Sequence, residues 1–432
     1  MRAARFWSWI VTVIVISCAF ANGQAKHRVL YSFGTNGGVN DGWLPNGELV
    51  FDAGGNIYGT TSIGGMAGEL CSDGCGTVFE LSPISGGGWS ESIIHVFSDD
   101  QDGMTPLSGL ILGGEENLYG TTEGSGNPQC QAPDCGTVFE LSPSGNGAWT
   151  ETVLYAFTGV PDGQGPLAPL IFDAAGNLYG TTGAGGVNGY GTAFELSPPL
   201  LPGGTWTEKI LYSFCQAGGG KCSDGAFPDA GLVFDGFGNL YGTTTLGAID
   251  TFWGLVYELS PSPNGSWTET ALYKFDGTHG GESEAGLTFD ASGNLYGTME
   301  YGGSEGPGCF KDPHPPNSVA CGGVFRLAPR VGGGWTEKAF LFDGTNGGNP
   351  IAGVIVDGDS VYGTTYVGGN GYGTIFEIKG TKETVIYIFC SRSNCIDGSA
   401  PFGTITLNGG QLFGTTQSGG LHNQGTVFSV AP

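Results

Sequence analysis

The chain has 432 residues, of which 84 are glycine and only 12% are charged. Helix-forming residues at helical spacing are absent, and an aromatic content of 12% argues against disorder, because disordered chains lack such side chains to bury. The formal net charge of −26 excludes nucleic acid and anionic membranes as partners, since both would repel the protein.

The first residues have the pattern of an export signal. Two arginines precede an apolar run at 6–21 that ends in Ala-Phe-Ala. This pattern predicts a secreted protein in which the signal peptide 1–21 is removed and residues 22–432 form a single domain. The run is too short for a comfortable membrane span. An alternative is that the residues before Cys18 act as a lipobox, which would leave the protein lipid-anchored through Cys18.

A short motif recurs along the whole chain. It reads Gly-Asn-Leu-Tyr-Gly-Thr-Thr at 176–182, and the central aromatic residues of successive copies lie 51 to 66 residues apart. These aromatic residues are Tyr58, Tyr119, Tyr179, Tyr241, Tyr296, Tyr362 and Phe413. Seven copies at such intervals are typical of a repeat protein.

The third copy shows the content of one unit. Segments 169–173, 178–182, 191–196 and 206–214 are rich in β-forming residues, and turns with Gly, Asn or Pro separate them. We interpret them as four short antiparallel strands. Such a unit, repeated seven times, is typical of propeller blades.

The two ends of the chain favour a closed ring over an open solenoid. The mature chain begins with a lone fourth strand at 29–33 and ends on a third strand at 425–430. Pairing of the two would complete the last blade and remove the open sheet edge. We therefore predict an all-β fold, a seven-bladed β-propeller with four antiparallel strands per blade, closed by the N-terminal strand.

The repeat also resembles a known family. The motif at 176–182, together with Gly-Thr-Val-Phe-Glu-Leu-Ser-Pro at 76–83 and 136–143, is similar to the GloVer (Gloeo-Verruco) tandem repeat of secreted bacterial proteins. The resemblance covers nearly the whole mature chain. It implies export and a propeller-like fold, and it supplies no catalytic residues for this sequence.

The cysteines also indicate an exported protein. Besides Cys18, ten of the 11 cysteines remain, and they fall into close pairs. An even number, local pairing and an export signal predict loop disulfides, whereas the irregular spacing disfavours zinc. The five predicted pairs are Cys71–Cys75, Cys130–Cys135, Cys215–Cys222, Cys309–Cys321 and Cys390–Cys395.

Loop lengths distinguish the two faces of the predicted disc. The 1→2 and 3→4 turns share one face, and the 3→4 turns are nearly constant in length. The 2→3 loops on the other face vary from seven residues between Thr365 and Gly373 to twenty-two between Met299 and Gly322. Insertions gathered on one face of a repeat scaffold often mark the binding side. The alternative is that this face merely tolerates insertions.

An acidic Asp-Gly turn recurs before the first strand, on the same face. Its aspartates are Asp41, Asp102, Asp162, Asp224 and Asp397. Such a turn is ordinarily structural, because Asp bonds its own backbone. The alternative is a ligand-binding ring of carboxylates around the channel mouth. Asp100 and Asp102 are then candidate Ca²⁺ ligands, although we predict no required cofactor.

Aromatic residues outside the repeat pattern are further candidates for ligand binding. Trp43, Trp253, Tyr190 and Tyr372 lie in loops of the variable face. Exposed aromatic rings beside acids can stack on sugars or anchor a protein partner. The alternative is packing inside their own loops.

Catalytic motifs give little support for an enzyme. No phosphate loop or His-Glu-x-x-His occurs. We therefore expect a secreted, monomeric binding or interaction module whose partner is a polysaccharide or a surface protein. One alternative is a glycoside hydrolase or lyase with carboxylates from different blades at the channel mouth. The other is a purely structural cell-surface protein.

Overall fold

The computed structural model describes most of the chain after the expected signal segment. The described residues are 26–34, 41–98, 102–124, 130, 135–201, 203–217, 221–247, 253–303, 305–313 and 316–432, with the side chains of 312, 313 and 316–319 excepted. The predicted signal peptide 1–21, Cys18 and Asp100 lie outside these residues.

Seven small antiparallel sheets form a closed ring of blades. Blades 1 and 2 contain Trp43–Pro45, Val50–Phe51, Ile57–Ile63, Thr77–Ile84 and Gly88–Val96, then Ile111–Leu112, Leu118–Thr122, Thr137–Gly145 and Ala148–Ala156. Blades 3 and 4 contain Ile171–Phe172, Leu178–Thr182, Thr192–Ser197 and Thr207–Ser213, then Val233–Phe234, Leu240–Thr244, Leu255–Pro261 and Trp267–Lys274. Blades 5 and 6 contain Thr288–Phe289, Leu295–Met299, Gly323–Pro329 and Trp335–Leu341, then Ile355–Asp357, Ser360–Thr365, Thr374–Lys379 and Lys382–Ile388. Blade 7 contains Ser399–Pro401, Thr406–Asn408, Gln411–Ser418, Thr426–Val430 and His27–Ser32.

The loops add short regular segments. Gly163–Gln164 pairs with Ala184–Gly185, and Phe310–Pro313 forms a hairpin with Pro316–Ala320. Two 3₁₀ turns span Gly114–Glu116 and Ser393–Cys395. We call the side with the 2→3 loops and 4→1 crossovers the loop face, and the side with the 1→2 and 3→4 turns the turn face.

The N-terminal strand closes the ring. His27–Ser32 pairs antiparallel with Thr426–Val430, from His27 opposite Val430 to Ser32 opposite Thr426. This strand is therefore the fourth strand of blade 7, and the predicted closure is confirmed. No sheet edge is left open at the junction between the first and last residues of the ring.

The first threonine of the repeated Gly-Thr-Thr motif bonds each of the first five blades to the next one. Gly180 lies so close to the ring of Phe194 that a Cβ atom would be 2.7 Å from it. The Thr181 hydroxyl donates to the carbonyl oxygen of Ala230 in the next blade at 2.9 Å. The Thr182 and Thr192 hydroxyls bond each other at 2.8 Å inside the blade. The motif recurs because each residue makes a packing or inter-blade contact.

Aromatic pairs fill the seams between blades. Phe97 of blade 1 meets Phe139 of blade 2 edge-on, with ring centroids 5.1 Å apart, and Phe157 meets Phe194 in the same way at the next seam. All four rings are fully buried. Both faces of a blade are thus covered by neighbours, which is why its strands carry large apolar residues at odd and even positions.

All five predicted disulfides are formed, with Cα–Cα distances from 4.0 to 6.2 Å. Each lies in a 2→3 loop or a 4→1 crossover, so all of them lie on the loop face. Among the described residues, none of the helices has the length and apolar character needed to cross a membrane.

Candidate functional site

A cavity of about 490 Å³ lies at the axis of the ring and is lined by all seven blades. One position of the lining comes directly after the proline or serine that starts the inner strand. Its residue varies among the blades, although the segment around it repeats. Its occupants are Asn46, Leu107, Leu167, Asp229, Glu284, Ile351 and Phe402. Because this position lies near the loop-face end of each inner strand, these side chains give the loop-face mouth of the channel its chemical character.

Blades 4 and 5 place four carboxyl groups on one side of this mouth. We call Asp229, Glu282, Glu284 and Glu300 the acid cluster. The backbone N–H of Glu300 donates to the carbonyl oxygen of Glu282 at 3.2 Å, and both side chains are buried. Glu284 is open to the water of the channel, although protein surrounds it on most sides.

Burial and mutual repulsion raise the pKa values of carboxyl groups in the acid cluster. Burial, with the nearby Asp229 and Glu282 carboxylates, raises the pKa of Glu284 to about 7. Burial and the Glu284 carboxylate raise the pKa of Glu300 to about 8, although a hydrogen bond with Tyr301 opposes the shift. These carboxyl groups can therefore donate as well as accept hydrogen bonds.

Two other carboxyl groups of the channel have raised pKa values for the same reason. Burial raises the pKa of Asp229, against a hydrogen bond of 2.8 Å from the Thr245 hydroxyl. Burial also raises the pKa of Glu48 in blade 1 to about 7, against a hydrogen bond from Thr406. The channel is consequently less negative at neutral pH than its sequence implies.

Aromatic and amide side chains continue the mouth through blades 5, 6, 7 and 1. We call Phe310, Tyr366, Phe402, Gln417 and Asn46 the mouth arc. The ring of Tyr366 lies 5.7 Å from Phe310 and 6.2 Å from Phe402. The Tyr366 hydroxyl donates to Oε1 of Gln417 at 3.3 Å, and Nε2 of Gln417 donates to Oδ1 of Asn46 at 2.7 Å. A row of apolar rings and amides therefore lies beside the acid cluster.

Asn349 connects the mouth arc to the acid cluster. Its Nδ2 donates to the carbonyl oxygens of Glu300 at 2.9 Å and Ala320 at 3.0 Å, while its Oδ1 accepts from the N–H of Phe310 at 2.8 Å. The Asn349 side chain is fully buried. It fixes the hairpin of the long blade 5 loop, whose base is closed by Cys309–Cys321, against the rim of the mouth.

The predicted aspartates lie in the seams between blades, while other residues line the channel. Oδ2 of Asp224 accepts from the Tyr212 hydroxyl of the preceding blade at 2.8 Å and from the Gln216 N–H at 2.9 Å. Asp41, Asp162 and Asp397 bond a tyrosine hydroxyl in the same way, and Asp102 lies 3.6 Å from His95. These contacts are those of a structural turn, and ligand binding by the five aspartates stays a prediction.

Only one of the two candidate calcium ligands lies within the described residues. Asp102 accepts from the N–H and hydroxyl of Ser98 at 3.1 and 2.6 Å, while Asp100 lies outside the described residues. Within the described part of the chain, no three His, Cys, Asp or Glu side chains are arranged to hold a metal ion.

The predicted aromatic residues differ in their surroundings. Trp253 is half-buried and packs against Gly277, where no Cβ atom would fit. Trp43 is half-buried in the first strand, opposite Ile63. Tyr190 and Tyr372 are 38% and 46% exposed on the loop face. Of these four residues, the two tyrosines are the most exposed.

The repeat pattern did not by itself predict Glu300, Phe402 and Gln417 as residues of the mouth, although the sequence carries a signal for them. Glu300 directly follows the fifth copy of the Gly-Thr-Thr motif, and Gln417 directly follows the seventh. Phe402 directly follows Pro401 at the start of an inner strand. Comparing the residues that flank each invariant motif would have found all three.

The profile of the Gloeobacter/Verrucomicrobia repeat matches residues 65–310 and 317–432. The chain belongs to this family. The acid cluster and the mouth arc lie where the blades meet the channel, at positions that vary among the repeats of this chain. No curated protein matches this member of the Gloeobacter/Verrucomicrobia repeat family.

Solved propeller structures resemble the chain at low identity. PorZ, described as an essential surface component of the type-IX secretion system of Porphyromonas gingivalis, is 13% identical with a TM-score of 0.51, over 90% of this chain and 46% of PorZ. The chain thus spans about half the length of PorZ. Polysaccharide lyase Uly1 is 10% identical with a TM-score of 0.49, over 96% and 94% of the two chains. A putative glucose dehydrogenase from Thermus thermophilus is 14% identical with a TM-score of 0.40, over 94% and 99%. The likeness to PorZ supports the fold alone.

Proposed function

We propose that this protein is a secreted binding module that holds a sugar chain at the loop-face mouth of its channel. The observation that carries the proposal is the variation at the mouth. The motifs that build the blades repeat closely, whereas the residues next to them vary among the blades and bring aromatic rings beside carboxyl and amide groups.

This combination suits a sugar. The faces of Tyr366 and Phe402 provide an apolar surface for the C–H face of a sugar ring, and the carboxyl and amide groups can bond its hydroxyls. The acid cluster and the net charge of −26 favour neutral or amino sugars over anionic ones. A cavity of about 490 Å³ lies within the range of about 300 to 1,000 Å³ typical of ligand sites.

Export is part of the proposal. Disulfides persist in oxidising compartments outside the cytosol, and this chain forms five of them in its loops. The basic and apolar start of the sequence fits a cleaved signal peptide at 1–21. Sequencing the N-terminus of the protein recovered from the culture medium would test cleavage and distinguish it from lipidation at Cys18.

A polysaccharide retention screen tests the binding function. The mature protein is passed over immobilised neutral, amino and acidic polysaccharides, with and without Ca²⁺. We expect retention on a neutral or amino polysaccharide, and we expect Phe402→Ala and Tyr366→Ala to weaken binding by about tenfold, since an aromatic contact contributes about 0.5–1.5 kcal/mol beyond its area. Phe237→Ala, which removes a ring that is 91% exposed on the turn face, serves as the matched control. Failure of every polysaccharide to retain the protein would refute the proposal.

A second candidate function is cleavage of the bound chain. The observation that favours it is the raised pKa of Glu284 and Glu300, because a carboxylic acid protonated near neutral pH beside an ionised one can act as acid and base. Product analysis after incubation with the retained polysaccharide tests this candidate. Chain shortening that Glu300→Gln abolishes while retention persists would establish the enzyme. Unchanged chain lengths would leave the binding module as the function.

A further inference from the structure

The turn face carries a second cavity, of about 620 Å³, between blades 5 and 6. The 1→2 turn of blade 5 at 290–294 forms one wall, and the hairpin at 356–361 forms the other. Phe340, Val356 and Ile378 provide an apolar floor. Arg326 and Lys379 bring two positive charges, and Asp290 and Asp359 bring two negative ones. The cavity lies on the opposite side of the disc from the acid cluster and the mouth arc.

Arg326 departs from the repeat at this place. The residue after Val-Phe or its equivalent in the third strand is glutamate in blades 1 to 4 and 6, namely Glu80, Glu140, Glu195, Glu258 and Glu377. In blade 2 that carboxylate accepts from the Tyr119 hydroxyl at 2.7 Å. In blade 5 the equivalent tyrosine, Tyr296, faces Arg326 across the same strand pair. Blade 5 therefore has a cation at the position where five other blades have a hydrogen-bond acceptor.

Lys379 is a second cation at a position where other blades carry a different residue. It occupies the position that is Ser82, Ser142, Ser197 and Ser260 in the first four blades. A chain with 14 Lys and Arg against 40 Asp and Glu thus places two of its few cations in one cavity, both at positions where the repeat carries another residue.

The Arg326 side chain bonds the Tyr296 hydroxyl and has further N–H donors. Its Nε is buried and finds no hydrogen-bond partner among the described residues. Asp290, the nearest wall carboxylate of blade 5, already accepts from the Ser292 N–H at 2.8 Å and from the N–H and Nδ2 of Asn294 at 2.9 and 2.6 Å. Across the strand pair Arg326 faces another cation, Lys338, which lies 4.4 Å from the ring centroid of Phe340.

We propose that this cavity binds a small ligand that carries an oxyanion, a carboxylate or sulfate on a sugar-sized skeleton. Arg326 and Lys379 contact the oxyanion, and the apolar floor packs against the carbon skeleton. A planar guanidinium matches the two oxygens of such a group. The cavity size of about 620 Å³ suits a mono- or disaccharide acid.

Calorimetric titration of the mature protein with D-glucuronate, D-glucose 6-sulfate and D-glucose tests the site. We expect at least one of the two anions to bind and glucose to bind at least tenfold more weakly. Preference between the two anions identifies the ligand as carboxylated or sulfated. Equal binding of glucose, or no binding of either anion, would overturn the proposal.

Substitutions at Arg326 test whether the anion binds in this cavity. Arg326→Glu restores the residue of the other blades, so we expect it to fold with an unchanged melting temperature and to lose anion binding. Arg326→Gln should weaken binding at least tenfold, whereas Lys209→Gln, which removes one exposed cation from blade 3, should leave it unchanged. Anion binding that survives Arg326→Glu would place the ligand elsewhere. Phe402→Ala in the channel mouth should leave this binding intact, which separates failure of this proposal from failure of sugar binding at the mouth.

Discussion

The imidazole of His27 stacks on the ring of Tyr387, with centroids 4.1 Å apart and planes 8° from parallel. The Tyr387 hydroxyl in turn donates to Asp397 at 2.6 Å. His27 occupies the place in the fourth strand of blade 7 where the other blades carry a glutamate, namely Glu91, Glu151, Glu208, Glu269, Glu337 and Glu383. The seam that closes the ring therefore contains an imidazole where the other six contain a carboxyl group.

The first prediction concerns the stability of this closing seam. Burial lowers the pKa of His27 to about 4, with Asp397 raising and Arg392 lowering it. The unfolded chain takes up the proton near pH 6.5, whereas the folded chain does so only near pH 4. The stabilisation from neutral His27 is thus complete above about pH 6.5 and is lost as the pH falls towards 4, by about 3 kcal/mol in total.

His27→Phe keeps a ring in the stack and removes the titration. We expect the melting temperature of the wild type, relative to this variant, to fall by about 3 °C between pH 7 and pH 4, since about 1 kcal/mol shifts the melting temperature of a chain of this length by about 1 °C. Circular dichroism across this pH range measures the difference. His422→Gln, which changes an exposed histidine, is the control. Parallel pH curves for wild type and His27→Phe would contradict the prediction.

The second prediction concerns the six seams that contain a glutamate in place of His27. There the pH dependence of stability has the opposite sign. Burial, together with Asp162, raises the pKa of Glu208 to about 7. The folded chain therefore binds this proton more readily than the unfolded chain, so the stabilisation is full below about pH 4.5 and is lost as the pH rises through about 7. Glu208→Gln removes this loss and keeps the shape of the side chain.

We expect Glu208→Gln to raise the melting temperature at pH 8 by about 1 °C, a modest change because solvent screens this half-buried group. At pH 5 we expect almost no difference from the wild type. Glu69→Gln, at an exposed loop position, should have no effect at either pH. A melting temperature that falls equally at both pH values would show that the glutamate contributes chiefly a hydrogen bond.

The spacing of the repeat predicted the fold because blades are built from local hairpins. The lone strand at 29–33 predicted the closure that His27–Ser32 makes. The channel mouth could not be predicted this way, since its residues come from distant copies: Gln417 and Asn46 bond across 371 residues of sequence. Spacing also could not reveal that tyrosines such as Tyr212 bond the Asp-Gly aspartates within the seams.

The third prediction concerns the bond between blades 3 and 4. Thr181→Val keeps the shape of a buried side chain and removes its bond to the Ala230 carbonyl, which leaves that oxygen unpaired. We expect a loss of about 1–3 kcal/mol, or about 1–3 °C in melting temperature. The equivalent residue of blade 6 gives the control, because the buried hydroxyl of Thr364 has no hydrogen-bond partner among the described residues. A cost for Thr364→Val as large as that of Thr181→Val would contradict the role of the bond.

The fourth prediction concerns the disulfide at the base of the blade 5 hairpin. Cys309 and Cys321 are 12 residues apart, and a loop of this length gives about 3 kcal/mol of chain-entropy stabilisation. The hairpin begins with Phe310, a member of the mouth arc. Replacing both cysteines by serine should loosen the hairpin at the mouth. It should also cost stability, because the buried Cys321 belongs to the apolar cluster between blades 5 and 6.

We expect the double Cys309→Ser and Cys321→Ser variant to be cleaved faster by protease within residues 305–320 and to bind the retained polysaccharide several-fold more weakly. The matched control is the double Cys71→Ser and Cys75→Ser variant, which opens a loop of 4 residues in blade 1 and leaves Phe310 in place. Faster cleavage of the hairpin without weaker binding would show that Phe310 does not contact the sugar. Equal weakening in both double variants would show that the disulfides act through the stability of the whole ring.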